Sequence, residues 1–122
     1  MDQTFQFPSP EGQSATDIVN EYASFTLSAR HIGKWVVQNS ASATTCTVPL
    51  MLGLRPGSSV VIEAYGAGTV TIASIAGIAG PPTLKPRGTY ATSIVTAGQN
   101  APITLFYKGG QIWNVSGDAT VT

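Results

Sequence analysis

Few side chains in this chain can do acid–base or covalent chemistry, and those few stand far apart. His31 is the only histidine and Cys46 the only cysteine. Nucleophilic catalysis needs a base beside its nucleophile, and a zinc site usually takes several nitrogen or sulfur ligands. One residue of each kind, sharing no motif, reads instead as a surface or turn histidine and a small strand residue within Thr44-Thr-Cys-Thr-Val48. Hydrolysis of glycosides needs two positioned acids, yet beyond the first 23 residues only Glu63 and Asp118 remain. Glu63 sits mid-strand, opposite the face carrying Val60 and Ile62, and Asp118 follows Gly117 in a turn pattern. The expectation is a protein that is not an enzyme, with no catalytic residue, no cofactor and no metal.

The remaining motifs are equally thin. Gly66-Ala-Gly68 resembles a piece of a dinucleotide fingerprint but leads into a strand-like run, so no helix N-terminus waits to receive a phosphate. Asn114-Val-Ser116 matches a glycosylation sequon beside Trp113 in a strand pattern. Lys85-Pro-Arg87 places two positive charges on a rigid turn. Trp35, Trp113, Tyr22, Tyr65, Tyr90 and Tyr107 could line a sugar-binding groove, although such residues in a β domain more often fill core and interface.

Composition bounds the partners. At 122 residues the chain suits one domain able to bury roughly two-thirds of its unfolded surface, so a core needs no disulfide or metal. Six basic and six acidic residues cancel, and charged residues make up only 10%. Near-zero net charge favours association, so much of this surface is expected to be covered by other subunits. With no Lys/Arg cluster, nucleic acid is not expected as a partner. No apolar run approaches the ~20 residues that span a bilayer, so no membrane is expected either. Met1-Asp-Gln-Thr-Phe lacks the features of a signal peptide.

The elements that must position all this are strands. Residues 1–23 hold four of the six acids and no Lys or Arg; Phe5, Phe7, Pro8 and Pro10 break any helical period there. This stretch reads as an N-terminal arm, extended over Met1–Gln13, with a helical turn or linker at Ser14–Tyr22. The β domain follows over 24–122. Phe25 and Leu27 alternate with polar neighbours, Ala29–Ile32 makes one turn ended by Gly33, and Lys34–Gln38 is a strand with Trp35 and Val37 on one face. Ala43–Val48 is another, stopped by Pro49. Leu50-Met-Leu-Gly-Leu54 is an apolar loop suited to packing under the sheet or into an interface. Ser59–Tyr65 and Thr69–Ala73 look like a hairpin whose turn uses Gly66 and Gly68 at positive φ. Ile75–Pro82 is a Gly/Pro-rich connection. Strands at Thr89–Thr96, Ile103–Lys108 and Gln111–Ser116 complete the set, the last two joined by Gly109-Gly110. No period repeats, which argues against a solenoid. About eight short strands with little helix indicate an all-β fold, a small jelly-roll-like β-sandwich or a barrel.

Taken in order, Phe25-Thr-Leu, Gly33-Lys-Trp-Val-Val-Gln-Asn39, Thr47-Val-Pro49, Pro56-Gly57, Val60-Val-Ile62, Gly66-Ala-Gly-Thr-Val-Thr-Ile72, Leu84-Lys-Pro-Arg87 and Trp113-Asn-Val-Ser-Gly-Asp118 form a series. This series resembles a β-structured module of tailed-bacteriophage virion proteins, found in capsid-decorating, head-fibre and tail-fibre proteins. The likeness spans about residues 25–118; Pro81-Pro82, the Leu50–Leu54 loop and the first 23 residues depart from the pattern. The resemblance implies a virion component, commonly a homotrimer, and brings no catalytic motif with it. It supports a capsid decoration or cement protein on the capsid exterior, with the major capsid protein as partner. Phe5, Phe7, Leu50, Met51, Leu52 and Leu54 are the candidate contact residues. The alternative is a tail or fibre component binding host-surface glycans.

Overall fold

The computed structural model describes residues 17–75, 81–86, 93–117 and 119–121. These form eleven strands: β1 (Ile18–Glu21), β2 (Phe25–Thr26), β3 (Trp35–Gln38), β4 (Thr44–Val48), β5 (Ser59–Ala64), β6 (Val70–Ser74), β7 (Thr83–Pro86), β8 (Ser93–Thr96), β9 (Ala101–Gly109), β10 (Ile112–Gly117) and β11 (Ala119–Val121). They divide into a six-stranded sheet, ordered β1-β3-β5-β9-β10-β7, and a five-stranded sheet, ordered β11-β8-β6-β4-β2. Period-two alternation gives each strand one apolar side, and the two apolar sides meet as a sandwich. Val36, Ile62, Ile103, Leu105, Trp113 and Leu84 from the first sheet face Cys46, Val48, Val70, Ile72 and Ile94 from the second, all at 1% exposure or less. The fold is all-β, as expected from the sequence, and of the sandwich and barrel left open there its two sheets fit the sandwich.

The connectivity of its first half is less ordinary. From β1 to β6 the chain alternates between sheets, so β1, β3 and β5 pair in parallel in one sheet and β2, β4 and β6 do so in the other. A jelly roll would pair antiparallel there. Trp35 lies beside Val61 and Thr44 beside Val70, so a 26-residue step relates β3 to β5 and β4 to β6, while the earlier steps, Ile18 to Trp35 and Phe25 to Cys46, are shorter. The chain thus stacks turn upon turn like a short solenoid, although no sequence repeat announces it. Stacking requires only matched inward side chains and corners that nest, not identical residues.

The corners settle the fate of the expected hairpin at Ser59–Ala73. β5 and β6 do not pair; they lie in opposite sheets, and Tyr65–Thr69 is an arch between them. Gly66 and Gly68 are not at positive φ. Their value is space, because a Cβ on Gly66 would fall on the Ser40 backbone and one on Gly68 on the Ser42 carbonyl. The Gly66 and Gly68 N–H groups donate to Gln38 O at 3.2 Å and Ser40 O at 2.9 Å, and Thr44 N–H donates to Thr69 O at 3.0 Å. Arch sits on arch. By contrast, β9 and β10 form the predicted hairpin, with its two-residue loop one position later than expected: Gly110 at φ 63° and Gln111 at φ 61° make the turn, and Gly109, at φ 98°, ends β9 opposite Ile112.

Two further expectations change. Ile18–Glu21 is an edge strand in parallel register with Trp35–Gln38, not a helical turn or linker. Leu84-Lys-Pro is strand rather than basic turn; Thr83–Pro86 pairs with β10 at the sheet's other edge, where proline's missing N–H is tolerated. Phe5, Phe7, Tyr90, Arg87 and Asp118 lie outside the described residues.

Candidate interaction surfaces

The residues with chemical potential are spent on structure. Cys46 is fully buried in β4, and desolvation, with a smaller contribution from the Glu21 charge, pushes its thiol from the ordinary 9.0 up to about 12. His31 is in a turn as expected, the 3-10 turn Ala29–His31, but it is 1% exposed rather than on the surface. Its Nδ1 accepts the Ser28 backbone N–H at 3.0 Å, which fixes the proton on Nε2, and Nε2–H donates to Glu21 Oε2 at 2.9 Å. Arg30 pairs with the same Glu21 oxygen. Phe25 covers the imidazole, with ring centroids 4.8 Å apart.

Ser28 Oγ lies 3.3 Å from Nδ1, so serine, histidine and glutamate follow one another as in a hydrolytic triad. The likeness ends there, because the lone pair a general base needs is already held by a backbone N–H. The cluster instead fastens β1 to the turn before β3. Sequence reading missed it, since Glu21 and His31 become neighbours only once β1 is placed in the sheet. Among the described residues no three His, Cys, Asp or Glu side chains gather to hold a metal ion.

Two apolar surfaces remain, and they carry the functional reading. The first is the loop between β4 and β5. Met51 and Leu54 turn inward and pack against the core, so of the four loop candidates only Leu50 and Leu52 are offered to a partner. Leu52 is 89% exposed and Leu50 52%. The loop is braced rather than slack: Gln111 Oε1 accepts Met51 N–H at 3.1 Å, Gln111 Nε2 donates to Met51 O at 3.3 Å, and Leu54 N–H donates to Met51 O. Gln111 is itself held by its N–H to Tyr107 Oη at 2.9 Å.

The second surface is the outer face of the six-stranded sheet. Trp35 and Val37 share a face as expected, and that face looks outward while Val36 and Gln38 are buried. Gln38 points inward with its amide N–H donating to Ala23 O at 2.9 Å, while its Oε1 finds no partner among the described residues. Register sets Ile18 beside Trp35, Trp35 beside Val61 and Val61 beside Thr104; the next rows bring in Val37, Pro102 and Phe106. Ile18, Trp35 and Phe106 are each nearly half exposed. Glu63 is on this face, as its alternation predicted, and its Oε1 accepts the Trp35 indole N–H at 2.9 Å, pinning the ring to the sheet. The outer face of the other sheet is different in kind: Thr45, Thr47, Thr71, Ala73, Ser93 and Val95, small and mostly hydroxylic, with no aromatic among the described residues.

The aromatics divide accordingly. Trp113 and Tyr107 are core, their rings 4.9 Å apart, whereas Trp35, Tyr22 and Tyr65 are exposed. Asn114 and Ser116 of the sequon are exposed on β10. Among the described residues no helix is long and apolar enough to cross a membrane. No protein-family model matches the chain, and no curated protein matches it either.

Proposed function

We propose that this chain is a structural protein of a tailed-bacteriophage virion: a decoration or cement protein that binds the capsid exterior as a homo-oligomer, of three copies by the resemblance. One observation carries the reading: Leu52 stands almost wholly in solvent on a loop whose neighbours are tied to the core and to Gln111. An isolated domain gains nothing from holding a leucine out rigidly, whereas a docking surface loses little ordering entropy when the contact is already shaped. Burying one such leucine fully is worth ~1.5–3 kcal/mol. A few contacts of that size per oligomer, joined through one body, add up through effective concentration. Neutral composition suits the role, since few charges must shed water on contact.

The exposed aromatics do not favour the glycan-binding alternative. A sugar ring needs free donors and acceptors around its edge; beside Trp35 the Glu63 carboxylate already accepts the indole N–H and Asp17 and Lys34 pair with each other, which leaves Ser59 among Ile18, Val37 and Val61. The test is a comparison of particles with and without this protein under heat and low salt. Complete particles should survive longer, and purified protein should rebind stripped shells in a regular array. Equal survival of both particle types would remove the cementing role.

A further inference from the structure

We infer that the outer face of the six-stranded sheet is where this chain meets a second copy of itself, with Trp35 at the centre of the contact. The inference rests on the homo-oligomeric half of the reading above and not on the shell. Three observations point to it.

The face is built as a contact surface. Ile18, Trp35 and Val61 are direct register neighbours, and Val37, Pro102 and Phe106 lie on the adjoining rows, with Ser59, Glu63 and Thr104 between them. The outer face of the other sheet, folded from the same chain with the same alternation, carries threonine, serine and alanine with a single valine, Val95, and no aromatic among the described residues. Strand spacing and rise give the six-stranded face roughly 500 Å2 in projection. Once side-chain relief is counted, that is of the order of the ~800 Å2 each partner gives to a standard interface.

Its charge balance fits a neutral partner. On the β1–β3–β5 half the charges are Glu63, whose carboxylate already accepts the Trp35 N–H, and Asp17 and Lys34, which face each other at 3.8 Å. Lys85 and Lys108 lie toward the far side. Nothing there selects a basic or an acidic partner, and a second copy of this net-neutral chain matches the requirement.

Trp35 is also prepared in advance. A large aromatic fixed by a hydrogen bond loses little freedom on burial, which is how interface anchors are usually built. Its exposure can be read directly, since the only other tryptophan, Trp113, is fully buried.

The experiment measures mass by sedimentation and the quenching of Trp35 by acrylamide across a dilution series, with Trp35→Phe giving the Trp113 background. An oligomer whose Trp35 is shielded when concentrated and quenched when dilute is the expected result. Trp35→Lys, which leaves a partner for Glu63, should weaken self-association at least ~30-fold, and Phe106→Lys should weaken it too. Leu52→Lys should leave it unchanged. Circular dichroism of each variant confirms folding.

An oligomer that survives both face substitutions overturns the inference and leaves the homo-oligomer intact. A wild-type monomer at every concentration overturns both. Shielding of Trp35 in a monomer, lost on deleting residues 1–16, would assign the face to the chain's own N-terminal segment. Shielding only on adding shells would assign it to the capsid, and either result overturns the inference. Shell binding, measured separately with Leu52→Lys, fails or succeeds independently of all these.

Discussion

Replacing Gly68 by alanine tests the stacked arches most directly. The new methyl would meet the Ser42 carbonyl, a backbone atom that cannot swing aside as a side-chain tip can. Forcing extra volume into a packed site costs ~1–3 kcal/mol, occasionally more. Separating the corners also endangers the bonds from Gly68 to Ser40 and from Thr44 to Thr69, worth ~1 kcal/mol each. The expected loss is about 3–5 kcal/mol. Against a typical total of ~5–15 kcal/mol this is a large fraction, and for a chain of this length it lowers Tm by roughly 10–20 °C. Gly98→Ala is the matched control, since nothing lies within 4 Å of its added Cβ and its φ is not positive. That change should be neutral or stabilise by up to ~1 kcal/mol through the unfolded chain. Urea titration of both variants decides the matter. If Gly68→Ala and Gly98→Ala unfold within ~0.5 kcal/mol of each other, the turns do not nest as described.

Other outcomes follow from the core and the loop. Cys46 should resist thiol reagents until the protein unfolds. Because its folded pKa is raised, stability is full below about pH 9, falls as pH rises, and is lost to the extent of ~4 kcal/mol by about pH 12. Cys46→Ala should therefore show a shallower alkaline decline on top of a constant cavity cost, measured by urea titration at several pH values. Trp113→Ala, which empties the centre of the core, should cost ~3–5 kcal/mol. Trp113→Phe should cost less, since the indole N–H finds no protein partner among the described residues. Leu52→Ser should change stability by no more than ~0.5 kcal/mol and weaken shell binding by roughly tenfold or more per site, read by cosedimentation with stripped shells.

Much of the architecture is legible in the residues because alternation and turn chemistry are local. Gly109-Gly110 identifies its hairpin, with the loop itself one residue later at Gly110-Gln111, because so short a connection leaves the flanking strands no choice but to pair. Gly66-Ala-Gly68 does not, since a strand, a glycine turn and a strand describe a hairpin and an arch equally well. What decides between them is Ser40-Ala-Ser42, one 26-residue step earlier, whose backbone occupies the space a side chain would need. His31 is hidden for a similar reason: its partner Glu21 lies in a segment whose strand character depends on β3 being alongside. The alternation of Trp35 and Val37 is readable, but the direction of that face is not. The core takes Val36 and, by alternation, Gln38, whose amide N–H is met by Ala23 O. The loop was legible as apolar, yet only the inward turn of Met51 and Leu54 shows which leucines remain for a partner.

The 26-residue step also bears on when the adhesive surface comes into being. The β9–β10 hairpin closes a loop of a few residues, but each contact of the parallel stack must close a far longer one before it is rewarded. Ile18, Trp35 and Val61 become neighbours only after those slow closures. A nascent or half-folded chain has therefore not yet assembled the contiguous face, so the contact proposed for it can form only between folded copies.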